Sequence, residues 1–176
     1  MKQAIRLFGL AAATLVLCGS TAFAQSTIYG DVVKDWADQK DLLVKLAGAM
    51  PDDKLGFKPT PAQRSYGEHI LHIAQVNVAL LAAVGGKAPA PTIDMKATTK
   101  AAMIKQMTDS FDYGAALLKE FDNTTIQGTV TQPFGMGPAT RARVFFFLVA
   151  HTQDTYGQMA VYLRLNGGVP PASQRP

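Results

Sequence analysis

His69, His72 and His151 are all the imidazoles of this chain, and each falls on the inward stripe of a segment with helical spacing. His69 and His72 lie one turn apart, and His151 lies one turn before Thr155, so each pair shares a helix face. Imidazoles on facing helices of a bundle can hold a divalent metal, because rigid helices fix the directions of the ligand nitrogens. Spacing alone leaves open the alternative that they are hydrogen-bonded core histidines. A core-facing stripe should be apolar, so His69, His72, His151, Thr155 and Gln158 each need a polar reason for their position. Glu68 and Asp154 fall beside the stripes and read as capping or solvated groups. Arg141, Arg143 and Arg164 read as solvated charges or donors to loop carbonyls. No Ser-His-Asp order, phosphate-binding glycine loop or acidic constellation suited to a general base is found.

Four segments must position these side chains. The first places Ile28, Val32, Trp36, Leu43, Leu46 and Met50 on one face and stops at Pro51-Asp52-Asp53. The second opens at Ser65 with Glu68 in capping-box position, runs His69, His72, Val76, Ala79 and Ala83, and ends at Gly85-Gly86. A stiff linker with Pro89 and Pro91 follows. The third carries Ile104, Met107, Phe111, Leu118 and Phe121. Residues 123–138, rich in Gly and Pro, read as a loop with one short extended piece. The fourth has the most regular seam: Val144, Leu148, His151, Thr155, Gln158, Tyr162 and Leu165, closed by Asn166-Gly167-Gly168 and Pro170-Pro171. Helices with one apolar face each are not stable singly, so the expected fold is all-α, a four-helix bundle with long connecting loops.

Length, 176 residues, is that of one domain, and 48% hydrophobic with 17% charged residues excludes a disordered chain. Residues 1–24 read as a signal peptide: Lys2 and Arg6, an apolar run from Leu7 to Cys18, and Ala22-Phe23-Ala24 before a cut at Ala24/Gln25. The expected mature domain is 25–176, periplasmic or secreted. Cys18, the one cysteine, leaves with the leader, which removes disulfides and thiolate chemistry. Lys and Arg, 17 against 13 Asp and Glu, are mixed along the chain, so no nucleic-acid stripe forms. No later segment reads as a membrane span.

Several blocks together resemble the DinB-like superfamily, also called DinB/YfiT-like metalloenzymes. They are Met50-Pro51-Asp52-Asp53, Phe57-Lys58-Pro59-Thr60-Pro61, Arg64 through Ala74, His151 through Gln158, and Tyr162 through Gly167 with Pro170-Pro171. The resemblance implies up-down-down-up connectivity and a divalent metal, zinc or nickel, held by one histidine of the second helix and two of the fourth. Those positions fall on His72, His151 and Thr155. Thr155 departs from the pattern, because a neutral hydroxyl is a poor ligand for zinc or nickel. His69 is the only spare imidazole for a repaired set. Two functions follow. One is an exported bundle with a partly degenerate metal site that binds a small molecule or a partner, a homodimer included. The other is a divalent-metal-dependent hydrolase or transferase using His72, His151 and His69.

Overall fold

The computed structural model describes residues 27–131 and 137–174. The expected signal peptide and its cleavage site lie outside the described residues. Four helices make the body: α1 (Ile28–Ala49), α2 (Tyr66–Leu81), α3 (Lys100–Leu118) and α4 (Arg141–Leu165). Each begins on a hydroxyl: Thr27, Ser65, Thr99 and Thr140 accept from the backbone N–H three residues on. At Ser65 the box is complete, with the Glu68 carboxylate accepting from the Ser65 N–H at 2.6 Å. The segment expected to hold one extended piece forms a small antiparallel hairpin, β1 (Thr129–Thr131) and β2 (Pro138–Thr140), with Val130 opposite Ala139.

Directions of the helices follow from who meets whom. Tyr29 near the start of α1 donates to the Leu118 carbonyl at the end of α3, and Lys100 at the start of α3 donates to the Met50 carbonyl, so α1 and α3 are antiparallel. Asn77 of α2 donates to Ser110 of α3, and Lys87 beyond α2 donates to Glu120 beyond α3, which makes α2 and α3 parallel. Arg141 donates to the Val84 carbonyl at 2.7 Å while His69 meets Tyr162, so α4 runs against α2. The order is up-down-down-up. Around the bundle the helices follow α1, α3, α2, α4, with consecutive α1 and α2 on one diagonal and α3 and α4 on the other. The α1–α2 and α3–α4 links cross a diagonal, and the α2–α3 link must return along the bundle between parallel neighbours, which is why the connections are long.

Trp36 anchors the core. Its ring lies 4.7 Å from Phe111 and 5.4 Å from Phe145 between centroids, and Nε1 donates to the Phe111 carbonyl at 2.8 Å. Gly114 permits this seat, since a Cβ there would lie 2.4 Å from Cζ2 of Trp36.

Three expectations need correction. Ile28 and Leu165 are 52% and 61% exposed, because each sits at a helix end beyond the reach of a neighbour. On α2 the inner face is Ile70, Ile73, Ala74, Asn77 and Leu80; the stripe drawn through His72 and Val76 runs along its margin, and Ala79 is exposed. Residues 66–84 are long and apolar enough to cross a membrane by length and composition, with mean hydropathy 1.3, contrary to the sequence reading. Burial of 56% of that stretch within the bundle accounts for its apolarity.

Candidate functional site

Opposite runs of α2 and α4 bring His72 and His151 together. Their Nε2 atoms are 3.2 Å apart and the rings cross at 65° with centroids 5.1 Å apart. A contact this short between two nitrogens requires one to donate and the other to accept. Nδ1 of His151 is buried with no partner, so it is better left as a bare lone pair; His151 then carries its proton on Nε2 and donates it to His72. His72 in turn keeps its proton on Nδ1, which makes no hydrogen bond among the described residues. Both rings are held neutral. Burial first, then the Arg64 guanidinium and the neighbouring imidazoles, bring the His72 pKa down to about 4. Burial also lowers that of His151, against the pull of Asp154.

His69 does not join them. Its ring is 2% exposed, and its Nε2 lies 3.4 Å from the Tyr162 hydroxyl, far along α4 from His151. Tyr162 gives its own proton to the Arg64 carbonyl at 3.1 Å, so His69 must donate from Nε2, leaving its Nδ1 as a buried lone pair. Phe57 packs edge-on against Tyr162 at 6.0 Å, and the loop between α1 and α2 is thereby tied to α4. One turn of helix separates His69 from His72, yet the antiparallel crossing carries it to a different level of the partner.

Thr155 is 2% exposed, and its hydroxyl donates to the His151 carbonyl at 3.0 Å on its own helix. That back-bond is the ordinary resting place of a helical threonine and turns the oxygen's proton away from the imidazole pair. Gln158, expected on the inward seam, is exposed and bonds Asp154 at 2.8 Å. Glu68 is held by the Ser65 N–H and by Lys58 at 3.0 Å, which together bring its pKa down to about 2. Among the described residues no group of three His, Cys, Asp or Glu side chains gathers. The residues supply two imidazoles and therefore do not fit a three-histidine metal site. The Arg141 side chain bonds the Val84 and Thr125 carbonyls, as its position suggested.

Beside the pair is a cleft of about 240 Å³ lined by Arg64, Glu68, Leu71, His72, Gln75 and Met95. A more enclosed apolar cavity of about 330 Å³, against Tyr29, Trp36, Phe111 and Leu118, lies on α1 and α3, which carry no histidine. Tyr162, Gln75 and Met95 were missed as site residues. Tyr162 sits on the regular seam of α4 with His151, but its pattern was that of a core aromatic; Met95 lies in the linker, where periodicity carries no information.

A family model described as the DinB superfamily matches residues 36–159. No curated protein matches the chain. Among solved structures, a DinB-like protein from Bacillus cereus ATCC 10987 superposes with a TM-score of 0.64 at 16% identity, over 80% of this chain and 93% of that one. A DinB-like protein from Bacillus subtilis gives 0.62 at 15% identity, over 82% of this chain and 99% of its own. At such identity these two share a fold with this chain.

Proposed function

The chain belongs to the DinB superfamily, and from that premise we propose that it is an exported member whose degenerate metal site serves as a small-ligand binding cleft. The observation that carries this reading is the state of the three family ligand positions. His72 and His151 spend Nε2 on each other, and Thr155 spends its hydroxyl on its own helix. Among the described residues no third donor replaces it: His69 is bonded to Tyr162, and Glu68 to Ser65 and Lys58. What remains is an accessible cleft with a neutral imidazole in its wall.

One observation favours the second reading, a divalent-metal-dependent hydrolase or transferase. Two imidazoles bound to one tetrahedral zinc hold their nitrogens about 3.3 Å apart, and the His72 and His151 Nε2 atoms are at 3.2 Å. The pair would then need a third donor from substrate or solvent. Metal analysis of the natively processed protein, purified without chelator, separates the two. The first reading expects zinc or nickel well below one per chain; one tightly held ion per chain would overturn it in favour of the second.

A further inference from the structure

Glu68 and Arg64 face the same cleft, but only one of them is committed. The Glu68 carboxylate is paired with Lys58 and accepts from the N–H of Ser65. The Arg64 guanidinium has neither an ion-pair partner nor a hydrogen bond among the described residues. Its backbone, in contrast, is fixed, because the Arg64 carbonyl accepts from Tyr162, whose oxygen accepts from buried His69. A free cation thus projects from a backbone pinned on α4. His72 lines the same cleft with a proton left on Nδ1, and Gln75, one turn further along α2, adds an amide. Leu71 and Met95 form the apolar part of the wall, Met95 being 43% exposed.

We propose that this cleft binds a small organic carboxylate, its charged end on Arg64 and the Nδ1–H of His72, its apolar body against Leu71 and Met95. The inference rests on the small-ligand reading above and names the ligand class. A planar carboxylate matches the fork of a guanidinium, which can give it two parallel N–H bonds. A single negative charge suits the site better than a phosphate dianion, since the ionised Glu68 lines the cleft as well and repels a second charge. At His72, the histidine that lines the cleft, Arg64 disfavours protonation and no carboxylate opposes it.

The test uses the mature chain at pH 7.5, where the imidazoles are neutral, with benzoate, acetate, benzamide and inorganic phosphate as probes. Binding is followed by calorimetry and by the ring C–H resonances of His72. Saturable one-to-one binding of benzoate is expected, tighter than acetate through the apolar wall and tighter than benzamide or phosphate through charge. Arg64→Gln should weaken benzoate about ten- to hundredfold, and Arg64→Lys should retain part of the affinity. Because the Arg64 side chain makes no ion pair or hydrogen bond among the described residues, its variants should unfold near the wild-type midpoint. Equal binding of benzoate and benzamide, tighter binding of phosphate, or an Arg64→Gln protein that binds like wild type overturns the carboxylate inference and leaves the cleft reading standing. No response of His72 to any probe also overturns the inference, whereas the cleft reading itself falls on a stoichiometric tight metal.

Discussion

Thr155→His places a third imidazole one turn beyond His151, and its effect can be worked out from the packing. Position 155 is 2% exposed, so a larger ring there overpacks a closed site and forfeits the bond to the His151 carbonyl. A cost of about 1–3 kcal/mol to the metal-free protein is expected. The His72 and His151 nitrogens, 3.2 Å apart, are already near the ligand-to-ligand edge of a tetrahedral ion. With zinc at about a hundred times the dissociation constant of the variant, binding restores about 2.7 kcal/mol. For a domain of this size that raises the midpoint by about 5–10 °C. In the wild type, where two imidazoles hold the ion weakly, the same zinc concentration should move the midpoint by no more than about 2 °C. Thermal unfolding of both proteins with and without zinc, alongside competition titration, reads the difference. Two results refute the reasoning: an equal zinc shift in the wild type that survives His69→Ala, or a folded Thr155→His protein that does not respond to zinc.

Trp36→Ala should cost about 3–5 kcal/mol in denaturant unfolding, since the ring is 2% exposed between Phe111 and Phe145; an unchanged midpoint would remove Trp36 from the core. Gly114→Ala drives a methyl into the Trp36 ring and should cost about 1–3 kcal/mol, with a shift in the emission of the single tryptophan as the local sign. Acid should destabilise the fold: His72 binds its proton near pH 4 when folded but near 6.5 when unfolded, so stability present above 6.5 is lost as pH falls through 4. Allowing for the screening of a half-buried ring, the loss is about 1–2 kcal/mol, read by urea unfolding at pH 7.5, 5.5 and 4.0; a flat profile would contradict the neutral pair. Intact-mass analysis of natively expressed protein should find the chain starting at Gln25, and a retained 1–24 leader would count against export.

Bundle architecture was readable in the sequence because helix ends and apolar faces are local properties. Ser65 with Glu68 announces the start of α2, and Gly167, with φ of +79°, closes α4 in the left-handed conformation its position suggested. Pairing across the bundle is not local. That His72 and His151 would meet followed from two inward stripes and a family pattern, whereas the separate fate of His69 depends on the antiparallel slope of α2 on α4, which no spacing within one helix contains. The same holds for Arg64. Its place in the cleft is set by a tyrosine near the other end of the chain, through a bond to a backbone carbonyl that no residue type advertises. Gln158 was misplaced for a simpler reason: the buried face of α4 runs through Leu148, Thr152, Thr155, Met159 and Tyr162, and Gln158 falls just outside its edge.

The crossed order of the helices also has a kinetic side. Because α1 packs on α3 and α4 and scarcely touches α2, no pair formed early in synthesis gives α1 a place to dock. Its tryptophan finds one aromatic neighbour on Phe111 and the other only when Phe145 has been made. Large loops must close before these contacts are won, so assembly should be slower than in a bundle of simple helical hairpins and dominated by late, long-range docking. Until α3 is complete the apolar faces of α1 and α2 stay open together, and the part of them that packs on α4 stays open until α4 follows.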